Sequence, residues 1–447
     1  MGNYRWVIVT LLLFATTINY ADRQVISYLK IYLCTPISEG GFGWSNSDYG
    51  TVTGFFTLFY AGTTIFAGFM IDKIGTKLGL AFSLIAWSIF GMANAFAGSS
   101  VAINAVLRSF FGLGQAGNFP ASVKTVAEWF PKKERALAQG FFNSGTSIGT
   151  MVAALFVPWC LMYFGNATGY KMAYLLTGGV GFIWLFFWFA MYNTPDKAAK
   201  LSKEEYDYIH SDEVAHIAPT EDVAVTPTKV SWFKLLTFPQ TWAFFMGKFL
   251  TDGVWYFLLF WLPDYLHKQF GMSTEELKWP TFIVYGVSIL GNVFGGSLPL
   301  YFINSGKMNV YHARMRAMMI IAVIPVSLLS IQYFSSHKEL FGDYAATWVI
   351  CVLCIGAATH QAWSSNLFTT VSDFFPKKAI GSVIGIGSLG GGIGGFTVQK
   401  IVGRLTDYYA ATPQIAYTIV FAFCAFIYII AWSAIRYLTR KQEVIAI

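Results

Sequence analysis

The chain has 447 residues, 55% of them hydrophobic and only 12% charged, where an ordinary soluble domain carries about 25% charged residues. Aromatic residues reach 18% and glycines number 42, a composition suited to helices that pack against lipid and against each other. A water-soluble globule is excluded, and the net charge of +7 must be read from its distribution before any nucleic-acid partner is considered.

Apolar stretches near the ~20 residues needed to cross a bilayer recur along the chain, and helices are expected because each backbone amide must find its partner within the segment. The first is predicted over 6–30. Asp22 and Arg23 follow Tyr20 where a signal peptide would carry small residues for cleavage, so this segment reads as a retained span. The start Met1-Gly2-Asn3-Tyr4-Arg5-Trp6 lacks the Ser or Thr of a myristoylation signal. Further spans are predicted over 48–71, 78–98, 101–127, 136–164 and 170–193. A polar stretch rich in Lys, Glu, Asp and Pro occupies 194–239, with a short amphipathic helix expected over 201–214 on the membrane face. Spans then resume over 240–265, 280–303, 314–335, 344–371, 380–406 and 413–437. The expected fold class is an all-α polytopic membrane protein with twelve transmembrane helices.

Threading these spans places nineteen Lys and Arg on one face and four (Lys171, Lys268, Lys278, Lys338) on the other. The positive-inside rule then puts both termini in the cytoplasm, and a nucleic-acid partner becomes unnecessary. Glu128-Trp129-Phe130-Pro131-Lys132-Lys133 aligns with Asp373-Phe374-Phe375-Pro376-Lys377-Lys378. In the same register Gly140 meets Gly385, Gly145 meets Gly390, Ile148 meets Ile393 and Gly149 meets Gly394. Spans four and five therefore correspond to ten and eleven, and the chain divides into pseudo-symmetric six-helix bundles at 1–193 and 240–447, joined by a cytoplasmic linker at 194–239.

Three features read as packing or as neutral. The scattered cysteines, Cys351 and Cys354 among them, lie without nearby ligand partners, so no metal is expected. Gly385-Ile386-Gly387-Ser388-Leu389-Gly390 matches a dinucleotide pattern but sits in an apolar span with no preceding strand, so close helix packing explains it. Asn166-Ala167-Thr168 is a glycosylation sequon on the outer side, a surface feature that carries no chemistry of its own.

The stretch Gly68-Phe69-Met70-Ile71-Asp72-Lys73-Ile74-Gly75-Thr76-Lys77 resembles the signature loop of the major facilitator superfamily, which implies an inner-gate role for Gly68, Asp72, Lys73 and Gly75. Asn19-Tyr20-Ala21-Asp22-Arg23 and the segment from Arg108 to Gly149 resemble the anion:cation symporter branch. Within it, Lys248-Phe249-Leu250-Thr251-Asp252, Leu259-Phe260-Trp261-Leu262-Pro263 and the run from His360 to Phe368 are similar to bacterial hexuronate transporters. The resemblance covers nearly the whole chain. It implies a monomeric carrier of the bacterial inner membrane for a small anionic sugar acid, driven by protons and without cofactor, and it adds Tyr60 as a hydroxyl-bearing wall of the site.

The residues themselves support an anionic substrate. A charge at mid-membrane costs about 3 kcal/mol or more, so Arg23 and Arg108 are expected to face a cavity or a partner, and a guanidinium fork can hold a carboxylate bidentately. At least one of the two is expected to bind the carboxylate of the substrate. Sugar hydroxyls want amides, hydroxyls and a flat apolar face, which Lys248, Asp252, Trp255 and Tyr256 of span seven and His360, Gln361, Trp363, Ser364 and Asn366 of span ten offer. An amphipathic stripe with no ligand is the competing reading. Asp22 is the candidate for proton coupling, because burial disfavours a charged carboxylate while a nearby guanidinium favours it; a fixed structural ion pair is its rival. Some symporters of the branch carry Glu seven residues after the arginine of span four, where this chain has Gln115. Gln115 can hydrogen-bond a substrate hydroxyl but carries no proton, so a one-proton cycle or a uniporter stays open. An intramembrane enzyme would need a nucleophile and base or metal ligands converging at one depth, and the six histidines are scattered. A membrane sensor that binds solute without flux is the remaining rival.

Overall fold

The computed structural model describes residues 3–211, 232–304, 308–342, 344–440 and 445. Those residues form helices joined by short connections, with no strand among them. Span one is Tyr4–Cys34 and span two is Asn46–Ile74, the latter opened by a capping box in which Ser45 and Asp48 exchange hydrogen bonds with each other's backbone amides. Gly75, at φ 82, ends span two in a conformation that side-chain-bearing residues rarely adopt, and span three follows at once over Thr76–Ala93. Spans six to eight are Asn166–Met191, Pro239–Phe270 and Lys278–Asn304, and spans ten to twelve are Tyr344–Phe374, Lys377–Tyr408 and Pro413–Leu438. Each lies within a few residues of its predicted bounds.

Three spans are built from pieces. Span four, predicted as one helix, comprises Val101–Gln115 and Asn118–Trp129, interrupted at Ala116 and Gly117 after a run that also holds Gly112 and Gly114, each costing a helix about 1 kcal/mol relative to Ala. Span five comprises Lys132–Asn143 and Gly145–Phe164. Span nine begins as Val310–Val323, tightens into a 3-10 turn at Ile324–Leu329 around Pro325, and resumes at Ser330–Ser336. Eleven helical segments among the described residues are long and apolar enough to cross a bilayer by themselves, and the divided fourth is the twelfth span. At ~1.5 Å per residue, helices of 31 or 32 residues exceed a ~30 Å hydrocarbon core, so spans one, seven, ten and eleven must tilt or project beyond it.

The sequence repeat appears as a repeated contact. In span five, Gly145 lies against the carbonyl of Leu13 and Gly149 against that of Thr17, both in span one. In span eleven, Gly390 lies against the carbonyl of Phe245 and Gly394 against that of Phe249, both in span seven. A side chain at any of the four would collide with backbone, so the glycines let span five close on one, and eleven on seven, in matching register. Gly387 packs on the Phe244 ring, which accounts for the dinucleotide-like pattern as helix packing.

The linker helix is Lys203–Ile209, inside the expected 201–214; residues 212–231 of the linker, together with Lys229, Lys307 and Lys441 of the topology count, lie outside the described residues. The helix is clasped to protein. Glu205 accepts from the backbone amides of Tyr4 and Arg5 and pairs with the Arg5 guanidinium at 3.0 Å, while Glu134 of span five accepts from Arg5 and Tyr208. Arg5, counted from the sequence as a topology charge, is buried in this cluster.

The two bundles meet along spans two and eleven, five and eight, and one and seven. Every described hydrogen bond or ion pair that joins them lies toward the face away from the termini. There Lys30 pairs with Asp264 at 2.6 Å, and Asp407 accepts from the amides of Asn46 and Ser47 and from the Asn46 side chain. Lys268 donates to Asn46, Lys400 to Thr51, Tyr49 to the Phe260 carbonyl, Thr53 to Gln399, and Gln24 to the Leu259 carbonyl. The far face is sealed by polar bonds between the bundles, and among the described residues the terminal face carries none of that kind.

Candidate functional site

Span one turns Arg23 toward the seam between the bundles. Its Nε donates to Gln115 Oε1 at 3.0 Å and its Nη2 to Asn19 Oδ1 at 3.4 Å, and Gln115 is itself fixed by donating to the Asn19 carbonyl at 2.7 Å. Three rings surround the guanidinium, Tyr20 at 4.3 Å, Tyr60 at 4.5 Å and Phe56 at 5.2 Å. Arg23 is 2% exposed, and its described hydrogen-bond partners are neutral amides. A buried cation whose only satisfied acceptors are neutral retains its full charge, and cation–π contacts offset only part of the cost.

The second bundle supplies the opposite wall. Tyr256 and Tyr60 both lie within electrostatic reach of Arg23, and Asp252 within reach of Tyr20 and Tyr256. Asp252 pairs with Lys248 one turn earlier at 2.6 Å, so that pair brings no net charge. Trp255 stacks on His360 of span ten with ring centres 5.2 Å apart, and His360 Nδ1 shares a hydrogen bond with the Tyr428 hydroxyl at 2.8 Å. The Lys248 ammonium lies 4.8 Å from the Phe368 ring centre. Gln361 sits two turns before Phe368 on the same helix stripe and is half-buried. Arg23, Tyr20 and Tyr60 therefore face Tyr256 and Asp252 across the seam, in a surround rich in hydroxyls and flat rings, with Lys248 paired to Asp252 behind that wall.

Three residues expected in this site stand elsewhere. Arg108 is in the interior of the first bundle, donating to the Tyr174 hydroxyl at 2.9 Å and lying over Phe111, and the Phe56–Phe111 ring pair separates it from Arg23. Trp363 is fully buried against Tyr428 of span twelve. Asn366 donates to the Gly295 carbonyl of span eight at 2.6 Å and faces Arg314 of span nine. The reading that set Trp363 and Asn366 on a substrate-facing stripe is corrected: that face of span ten packs inside its own bundle.

Asp22, about 100° around the helix from Arg23, points the other way. It lies beside Thr177, Trp87 and Arg108, and its Oδ2, the Trp87 indole nitrogen and Arg108 Nε all lack a hydrogen-bond partner. The first bundle thus holds two polar centres, a cationic one at the seam and a carboxylate–guanidinium one behind it.

The signature loop closes within its own bundle. Asp72 pairs with Lys124 of span four at 2.8 Å, and the Lys73 ammonium lies 4.5 Å from the Phe69 ring. Gly68 is open and Gly75 forms the turn already described.

The sequence reading missed the far-face lock of Lys30, Asp264, Lys268 and Tyr417, in which Tyr417 donates to Asp264, and it missed Tyr20 as a ring on Arg23. Lys30 and Asp264 were legible as charges at the ends of apolar helices, a pattern that calls for a named partner.

A profile of the Major Facilitator Superfamily matches residues 12–399. The chain is 29% identical to the hexuronate transporter of Escherichia coli strain K12 over 417 residues, 93% of this chain and 91% of that one. It is 30% identical to the galacturonate transporter of Dickeya chrysanthemi over 336 residues, 74% of this chain and 92% of that one. Among solved structures, a bacterial homologue of the human lysosomal transporter Spinster, inward-facing and unoccupied, superposes with a TM-score of 0.73 at 17% identity over 99% of both chains.

Proposed function

The chain belongs to the major facilitator superfamily, and from that premise we propose that it is a secondary carrier of sugar acids, taking up hexuronates such as galacturonate or glucuronate together with protons. The observation that carries this reading is the buried Arg23 guanidinium, held by amides and ringed by aromatics, with the opposite wall already neutralised by the Lys248–Asp252 pair. A carboxylate arriving between the bundles meets a guanidinium whose described hydrogen-bond partners are neutral. The sugar ring then lies against Tyr60, Tyr256 and Trp255, with Gln361 available to its hydroxyls. The relatives named for hexuronate and galacturonate support the substrate class.

In this reading the bundles 1–193 and 240–447 rock about the seam and expose the site to each side in turn. The terminal, basic face is cytoplasmic by the positive-inside rule, so the far-face lock closes the outside and the site opens inward. Asp22 couples to the proton: gaining one neutralises a carboxylate beside Arg108 without touching the substrate-binding guanidinium. Gln115 leaves the seam without a second titratable acid beside Arg23, which favours one proton per cycle.

Uptake of labelled hexuronate and hexonate into proteoliposomes, with and without an inward proton gradient, tests the reading; gradient-driven accumulation of hexuronate over hexonate is expected, and no uptake of either acid would sink it. Asp22→Asn is expected to abolish accumulation while leaving counterflow intact, and unchanged accumulation would remove Asp22 from the coupling step. Gln115→Glu places a competing carboxylate on Arg23 and is expected to weaken hexuronate binding about tenfold at neutral pH, an effect relieved as acidification protonates the new side chain. A binding constant measured across pH by calorimetry checks both parts.

A further inference from the structure

We propose that the cleft between spans nine and twelve at the terminal face holds the phosphate-bearing headgroup of an anionic phospholipid. On span nine, His312, Arg316 and Met319 follow one another by about a turn and form one stripe, as do Trp432 and Arg436 on span twelve, with Arg440 in the turn just past its end. The stripes are joined at two depths. Trp432 Nε1 donates to the Met315 carbonyl at 2.9 Å, and the Tyr311 and Thr439 hydroxyls share a hydrogen bond at 3.0 Å. With Met308, Tyr311 and Met315 they enclose about 600 Å³.

Arg316, Arg436 and Arg440 are exposed, and among the described residues none is paired with a carboxylate. Each lies instead by an aromatic ring: Arg316 over Phe302 at 5.2 Å, Arg436 over Trp432 at 5.2 Å and Arg440 over Tyr437 at 4.7 Å. Ring contacts of this kind hold a guanidinium in place and leave its donor fork free. Arg314, on the same helix but turned toward span ten, is paired with Asp373. The chain therefore neutralises the arginine that faces its interior and leaves three like charges along one bilayer-side cleft, an arrangement that a multi-oxygen anion relieves.

A guanidinium fork matches phosphate oxygens bidentately. The lipid, rather than free phosphate, follows from what lies along the cleft. Met308, Met315, Met319 and Trp432 form its apolar wall, and the exposed side chains of Met319, Ile320 and Val323 continue along span nine toward mid-membrane, where acyl chains run. Basic pockets between helices at this depth, flanked by Trp and Tyr, suit anionic headgroups.

The test is native mass spectrometry of the purified full chain titrated with phosphatidylglycerol, phosphatidylcholine or inorganic phosphate. Phosphatidylglycerol is expected to bind at least about tenfold more tightly than phosphatidylcholine, and the triple variant Arg316→Gln, Arg436→Gln, Arg440→Gln to lose that preference. Should the triple variant fail to fold, Arg440→Gln alone, at the exposed end of span twelve, is expected to weaken phosphatidylglycerol roughly threefold with an unchanged melting temperature. Equal binding of both lipids, or an undiminished preference in a folded variant, overturns the site. Displacement of bound lipid by inorganic phosphate at matching concentration overturns the lipid assignment.

Discussion

Arg23→Gln is expected to lower kcat/KM for hexuronate uptake by at least about 100-fold, because a charged hydrogen bond to substrate contributes on the order of 3 kcal/mol. Lys248 cannot substitute, since its ammonium is already committed to Asp252 at 2.6 Å. Arg23→Lys retains the charge and loses the planar fork, so a loss of roughly tenfold is expected instead. Arg108→Gln separates the two arginines of the first bundle. With Tyr174 and Asp22 as its neighbours and the Phe56–Phe111 pair between it and Arg23, it is expected to disturb gradient-driven accumulation more than substrate affinity. Hexuronate affinity by calorimetry and proteoliposome accumulation, measured on the same three variants, give the comparison. Wild-type affinity in Arg23→Gln would end the assignment of the substrate site.

Asp264→Asn is expected to open the far face. Asp264 is 3% exposed and holds Lys30, Lys268 and the Tyr417 hydroxyl, so its loss leaves a fully buried ammonium without its counterion. Removing one partner of a buried pair costs about 3–5 kcal/mol, enough to shift a two-state balance by roughly 100-fold or more toward the conformation in which Lys30 reaches water. Replacing both partners, Lys30→Met with Asp264→Leu, removes the orphaned charge and is expected to restore much of the closed population. Pulsed electron–electron resonance between labels at Glu39 and Glu275, exposed positions in the connections after spans one and seven, reads the separation directly. A lengthened distance in Asp264→Asn that shortens again in the double variant is the expected pattern, and an unchanged distribution would show that the lock does not hold the far face.

The spans were legible because their signal is additive: some twenty apolar residues in succession give a reading that no single contact overturns. Span four departed from it because three glycines within a few residues lower helix propensity without lowering hydropathy. The repeat was legible for a related reason. Gly145, Gly149, Gly390 and Gly394 each meet a carbonyl, and that requirement leaves the same residue type in both halves.

The candidate residues were legible as chemical types, while their neighbours were not. Sequence identifies a charge in an apolar span, yet Asp22 and Arg23, adjacent in the chain, serve different centres because one helical step turns them to opposite neighbours. Asn366 and Trp363 have the chemistry of sugar ligands, yet Asn366 donates to the Gly295 carbonyl and Trp363 packs its ring on Tyr428, neighbours that only the packing of span ten against spans eight and twelve reveals. The far-face lock is a tertiary fact of the same sort, joining positions more than 200 residues apart, from Lys30 to Asp264.

Within each half, backbone touches backbone where the repeated glycines lie, and such a joint admits little sliding. Span five meets span eight differently, through the flexible thioether of Met151 resting 3.9 Å from the space beside Gly286. A polarizable, unbranched side chain against a residue that has none behaves as a bearing, keeping contact while the surfaces slip. The molecule is closely packed within its halves and more loosely joined at one flank of the boundary between them.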